Sequence, residues 1–201
     1  MKKKLHSHYL SKCLEAGCDE AGGGVLAGPV FASAVILPPN FDCPKLNDSK
    51  QLSASVRSDL RLVIEEKALA WGVGIANEEE ISEHNILNAS ILAMHRAIKK
   101  LKICPEHLII DGDQFNPYKS IPYTTIVKGD AKYLSIAAAS VLAKTHRDDY
   151  MKQLHKEYPI YELQENKGYP TQYHRCIVAM LGVSPYHRKG YHLRNIPISE
   201  I

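Results

Sequence analysis

Cys18-Asp19-Glu20-Ala21-Gly22-Gly23-Gly24-Val25-Leu26-Ala27-Gly28-Pro29-Val30 sets two acids directly against a run of glycines. Adjacent residues of a strand point to opposite faces, so for both acids to serve one site the strand must end or bulge there. Glycines supply the freedom for that, because they accept positive φ and let another backbone come close. Taken alone, the stretch reads equally as an exposed acidic turn. Its flanks favour a sheet. Leu14 to Asp19 runs into the glycines, and Val30 to Leu37, rich in β-branched and apolar residues, leaves them before Pro38-Pro39 stops it; the two read as a hairpin-like pair of strands.

Further out, Ser53 caps a helix carried by Val56, Leu60, Val63, Ile64 and Lys67, and Trp71 to Ala76 reads as a third strand. Asn77 and Glu80 fit a capping box that opens a short helix, with a longer one from Ile86 to Leu101. Leu108-Ile109-Ile110-Asp111 is an apolar run ending in an acid, the pattern of a strand buried on both faces whose tip meets solvent. Tyr123 to Val127 gives a fifth strand. Lys128-Gly129-Asp130 then leads into a helix whose small residues, Ala137-Ala138-Ala139-Ser140, permit close backbone packing. Pro170 and Thr171 open a last helix, Gly182 closes it, and the rest to Ile201 lacks periodicity. Three early strands followed by strands alternating with helices predict an α/β fold, a mixed central β-sheet flanked by helices. The 201 residues, 45% apolar and 23% charged, suffice for one core and are expected to form a single domain, 1–201, with a C-terminal helical and irregular extension from about 158 to 201.

Composition excludes other classes. No stretch approaches the roughly 20 apolar residues of a membrane span, and the basic start Met1-Lys2-Lys3-Lys4 lacks the apolar core of a secretory signal, so the expected place is the cytoplasm. The five cysteines (Cys13, Cys18, Cys43, Cys104, Cys176) are odd in number and never spaced as Cys-x-x-Cys, which argues for free thiols over disulfides or zinc. A net charge of +3 supports a nucleic-acid partner only weakly. Two basic clusters stand out, Lys144, His146, Arg147, Lys152, His155 and Lys156, then His187, Arg188, Lys189, His192 and Arg194; each by itself reads as a solvated surface.

Asp111 at a strand tip and Asp130 after the next strand can reach the same sheet edge as Asp19 and Glu20, because sites of such folds gather at strand ends. Four converging carboxylates repel one another unless cations lie between them. Oxygen-only ligands suit Mg²⁺ or Mn²⁺ rather than zinc, and two such ions about 3.5–4 Å apart activate a water and stabilise the leaving oxygen of a phosphodiester. Singly, Asp111 and Asp130 read as ordinary caps or loop acids. Asp148 and Asp149 follow a long helical segment and are expected to be surface residues.

The chain resembles the ribonuclease HII family, whose opening motif is Asp-Glu-Ala-Gly-Arg-Gly followed shortly by Ala-Gly-Pro-Val. The likeness continues through Asn47-Asp48-Ser49-Lys50-Gln51-Leu52, Ile110-Asp111-Gly112, Val127-Lys128-Gly129-Asp130, Ala138-Ala139-Ser140-Val141-Leu142-Ala143-Lys144 with Arg147-Asp148, and Lys167-Gly168-Tyr169-Pro170-Thr171. The resemblance implies a ribonuclease H-like fold and a metal-dependent endoribonuclease acting on RNA/DNA hybrids and on DNA duplexes containing ribonucleotides. It leaves 5′-phosphate and 3′-hydroxyl ends, with a part in ribonucleotide excision repair. Asp19, Glu20, Asp111 and Asp130 are the implied catalytic and metal-binding acids, for two ions of Mn²⁺ or Mg²⁺. Gly22, Gly23 and Gly24 are implied to meet the 2′-hydroxyl, the group that separates RNA from DNA. Tyr169 is implied to pack on the sugar at the junction; without its flanking motif it reads as one half-buried tyrosine among eleven. Lys50, Ser140 and Lys144 are implied near the phosphate backbone, Ser140 and Lys144 on one helical face. The extension from about 158 is expected to contact substrate, and the chain to act as a monomer away from membranes.

The chain departs from the family pattern in three places. Gly23 stands for an arginine expected to hold a phosphate, Asn166 for a histidine, and Gly190 for a serine after His187-Arg188-Lys189. Gly23 motivates an alternative, a hybrid- or junction-binding protein of the same fold with weakened cleavage. A third reading, a nucleotide-binding α/β protein whose triple glycine cradles phosphate, fails because no Gly-Lys-Ser/Thr follows.

Overall fold

The computed structural model describes residues 5–46 and 52–190. The acid-bearing strand is β1 (Glu15–Ala21), which pairs antiparallel with β2 (Val30–Ile36) across the glycine segment. After α1 (Ala54–Lys67), β3 (Ala70–Ala76) adds antiparallel to β2. Then α2 (Glu78–Lys99) carries the chain back, so that β4 (His107–Asp111) lies parallel to β1 and β5 (Tyr123–Ile126) parallel to β4. The sheet order is β3-β2-β1-β4-β5, mixed as its sequence predicts. Because β1, β4 and β5 run the same way, their C-terminal ends share one edge, with Asp19 near the end of the first and Asp111 closing the second.

Side-chain alternation divides the core. Ala16 and Cys18 of β1, Leu108 and Ile110 of β4, and the even residues of β2 pack with α2 on one face. The other face meets α1 and α3 (Leu134–Glu157). There Gly17 lets α3 settle on β1: a Cβ at that position would lie 2.3 Å from the Ser135 carbonyl carbon. Asn77 and Glu80 form the predicted capping box. The helix it opens breaks at Asn85 (φ 66), whose side chain accepts from the Asn88 amide at 3.1 Å, which recaps the second, longer part.

Beyond α3 come a short turn, α4 (Leu163–Asn166) and α5 (Gln172–Leu181), the last capped by Thr171 and closed at Gly182 (φ 83). A third cluster of Ala27, Met151, Leu154, Tyr161, Leu163 and Val178 fastens this region to α3 and the glycine segment. Two expectations lie outside the described residues: Lys50 with most of its motif, and His192 and Arg194 of the second basic cluster. Among the described residues no helix is long and apolar enough to cross a membrane. The cysteines are free thiols.

Candidate active site

Asp19 sits opposite Ser33 of β2, on the face that meets α3, where the Ser33 hydroxyl donates to the Ala139 carbonyl at 3.1 Å. Ser140 of α3, itself buried, hydrogen-bonds the Asp19 carboxylate. Ser140 also lines the cleft beside these acids. The Glu20 amide also donates to Asp19 Oδ1 at 2.7 Å. Asp111 Oδ1 accepts from the Gly129 amide at 2.6 Å, which draws the turn carrying Asp130 against the end of β4. One carboxylate oxygen from each of Asp19, Asp111 and Asp130 falls within 4.8 Å of the others. Burial, then the charges of Glu20 and Asp111, push the Asp19 carboxyl well above the ordinary carboxylate range, against the hydrogen bonds from Ser140 and Glu20. A cation between the three would reverse that bias, and a cluster of oxygens alone fits a hard divalent ion.

Glu20 lies outside this set. The strand neither ends at Asp19 nor bulges, as the sequence reading required, but continues through Ala21. Alternation therefore directs Glu20 to the opposite face from Asp19. Its place near the end of β1 still brings it to the lining of the same cleft.

That cleft has a volume of about 870 Å³, and its wall includes Asp19, Glu20, Asp111, Gly22, Gly23, Ser140, Lys144 and Tyr169. Gly24 is exposed and outside the lining. Asp148 and Asp149 line it too, in ion pairs with α1: Arg57 with Asp148 at 3.8 Å, and Arg61 with Asp149 at 2.7 Å. The sequence reading passed over Arg57 and Arg61, although their spacing of four on a predicted helix puts both on one face.

Only Gly22 of the three glycines has a backbone that excludes other residues. Its φ is 98, and an added Cβ would lie 2.3 Å from Arg147 Nε, whereas a Cβ at Gly23 or Gly24 meets nothing within 4 Å. Two buried arginines hold the segment. Arg188 donates to the carbonyls of Gly22 (2.6 Å), Gly23 (3.0 Å) and Gly28 (2.9 Å). Arg147 donates to Pro29 (3.0 Å), Ala27 (3.1 Å) and Lys167 (2.8 Å). Burial, then the Arg188 charge, lowers Arg147 to about 10, which leaves it cationic at neutral pH. The carbonyls of Gly22 and Gly23 are thus engaged by Arg188, and both glycines line the cleft.

The solvated-surface reading of the basic clusters is thus wrong for Arg147, His187 and Arg188, exposed by only 3%, 8% and 4%. The carbonyl partners of the two arginines lie up to 166 residues away in sequence, so no local pattern reveals them. The same contacts bring in Tyr169. The Leu26 amide donates to the Gly168 carbonyl at 2.8 Å, seating Lys167-Gly168-Tyr169 beside the turn with the Tyr169 side chain half exposed. Asn166 is well used where the family has histidine: its Oδ1 accepts from the Gly168 amide (2.8 Å) and its Nδ2 donates to the Tyr161 carbonyl (2.6 Å).

This sheet and its helical flanks define a ribonuclease H-like protein. The chain superposes on ribonuclease HII from Archaeoglobus fulgidus, solved in a complex with PCNA, with a TM-score of 0.76 at 23% identity over 94% of this chain and 100% of that one. Ribonuclease H2 from Pyrococcus horikoshii gives 0.74 at 24% identity, covering 89% and 93%. A ribonuclease HIII solved with Mn²⁺ gives 0.62 at 19% identity, covering 84% and 62%. Sequence narrows the class further. The family described as Ribonuclease HII matches residues 16–193. Ribonuclease HII of Parabacteroides distasonis is 63% identical over 90% of both chains, and that of Bacteroides thetaiotaomicron 61% over 92% of this chain and 93% of its own. The chain belongs to the ribonuclease HII family and is a ribonuclease H enzyme.

Proposed function

We propose that the enzyme cuts the RNA strand of RNA/DNA hybrids and cuts at ribonucleotides embedded in duplex DNA. The observation that carries this reading is the meeting of Asp19, Asp111 and Asp130 within 4.8 Å, where Asp19 and Asp111 line a cleft shared with Gly22, Gly23 and Tyr169. These three acids, with Glu20 at the end of β1 as the fourth, hold the divalent ions. Two ions of Mg²⁺ or Mn²⁺ held by these acids would supply an activated water and offset charge on the leaving oxygen, for cleavage that leaves 5′-phosphate and 3′-hydroxyl ends.

The chain's own groups do the rest. Ser140 orients the Asp19 carboxylate, and Gly129 orients Asp111. The amide side of Gly22-Gly23-Gly24 reads the 2′-hydroxyl, which a backbone can do without choosing a base. Tyr169 packs on the sugar at the RNA-to-DNA junction. Lys144, Arg57 and Arg61 line the wall where phosphates of the duplex pass, and Lys50 serves the same backbone. Residues from about 158 onward, which carry Tyr169, form the substrate-contacting extension.

The test is to incubate pure protein with an end-labelled DNA duplex carrying one ribonucleotide, and with a continuous hybrid, in Mg²⁺, Mn²⁺ or chelator. Cleavage of both substrates with metal and none with chelator is expected. Tight binding without cleavage in either metal would favour the alternative, a junction-binding protein weakened by Gly23.

A further inference from the structure

Two imidazoles that touch neither substrate wall nor acids are wired to Tyr169. His174 in α5 and His187 beyond it are both buried. The Ser184 amide donates to His187 Nδ1 at 2.9 Å. An amide N–H only donates, so Nδ1 carries no proton and a neutral His187 holds its proton on Nε2. That nitrogen lies 3.0 Å from His174 Nε2, so His187 donates and His174 accepts. The proton of His174 is then on Nδ1, 2.9 Å from the Tyr169 carbonyl oxygen, which only accepts. The Ser184 hydroxyl, 2.8 Å from the same unprotonated Nδ1, then donates to it as well, and the ring protons are assigned in one direction, from Ser184 through His187 and His174 to Tyr169.

The scheme requires both rings neutral. Burial, then the neighbouring His174, lowers His187 to about 4, and burial lowers His174 as well. The Tyr161 ring packs edge-on against both, at 4.9 Å from His187 and 6.2 Å from His174. Arg188 adjoins His187 in sequence, and among the described residues neither ring has a carboxylate partner. The same segment pairs Ala27 with His187 and ties the Arg188 amide to the Leu26 carbonyl at 2.9 Å. One end of the wire is thus anchored on the glycine segment, and the other on the backbone of Tyr169.

We propose that His174 and His187 are positioning residues for ribonucleotide recognition: their fixed tautomers set where Tyr169 stands relative to the glycine turn. The proposal rests on the reading of Tyr169 as the residue that packs on the junction sugar. Side-chain ¹⁵N NMR at neutral pH should show His187 as the Nε2–H tautomer and His174 as the Nδ1–H tautomer. The kinetic readout is the ratio of kcat/KM for one embedded ribonucleotide to kcat/KM for a continuous hybrid. His174→Leu, which deletes the wire, should lower that ratio about fivefold, while His174→Asn, which restores a donor near the Nδ1 position, should recover most of it. The opposite tautomers in the wild-type protein, or a folded His174→Leu with the wild-type ratio, would overturn the proposal. Tyr169→Ala separates the two ideas. An unchanged ratio there removes the junction reading itself, whereas a lowered ratio beside a silent His174→Leu removes the wire alone.

Discussion

The acidic corner and the glycine turn face one cleft but are held in place by opposite means. Asp19 and Asp111 are seated by the sheet: Asp19 lies near the end of β1 and Asp111 at the end of β4, in strands whose register is set by their neighbours, and Asp130 follows in the turn after β5. The turn has no such lattice. It is held by Arg147 and Arg188, whose guanidiniums reach carbonyls over 100 residues away, and Tyr169 is held through buried histidines. On the proposed function, chemistry is thus placed by backbone pairing, and recognition by side chains from the C-terminal half. Damage to the two regions should therefore look different.

The largest effect belongs to the acids. Asp19→Asn and Asp111→Asn should each lower cleavage of both substrates by about a thousandfold or more, since each removes charge worth several kcal/mol where the proposed cations would be held. Thermal unfolding without metal should be unchanged or raised, because each change relieves repulsion in the cluster. Retention of most activity by either variant would take that residue out of the catalytic set.

Next comes a contrast inside the turn. Gly22→Ala forces a Cβ into the Arg147 guanidinium at a φ of 98, and should cost on the order of 2 kcal/mol in urea unfolding together with most recognition of a single ribonucleotide. Gly23→Ala meets open space and should cost little. Equal effects at the two positions would mean that the arginine brace does not shape the turn.

That contrast also marks the limit of sequence reading. The strands, the capping box, the mixed sheet and the convergence of Asp19, Asp111 and Asp130 were legible, because alternation and strand ends are local signals. The triple glycine was legible as a turn, yet the freedom it suggests is needed at Gly22 alone. Arg147 and Arg188 looked like members of solvated clusters because burial of a charge depends on acceptors that only the fold supplies. Glu20 was expected to join Asp19 through a break in the strand; β1 instead continues unbroken to Ala21, and Glu20 reaches the same cleft from near the strand's end.

Tyr169→Ala should lower cleavage at a single ribonucleotide about tenfold, by loss of packing on one sugar, and affect a continuous hybrid less. The smallest effect is a gain. At Gly23 a Cβ meets nothing within 4 Å, and Gly23→Arg adds a guanidinium beside the cleft, so binding should tighten and its logarithmic salt dependence steepen by about one unit. An unchanged slope across a salt series would mean that position 23 does not face the nucleic-acid backbone.

The division between chemistry and recognition is tested most directly by single-turnover cleavage of the two substrates, one embedded ribonucleotide and one continuous hybrid, by the wild-type protein, Asp111→Asn and Tyr169→Ala. Asp111→Asn should slow both substrates alike and leave their ratio near that of the wild type, whereas Tyr169→Ala should shift the ratio toward the hybrid. A ratio moved by Asp111→Asn and untouched by Tyr169→Ala would contradict the account.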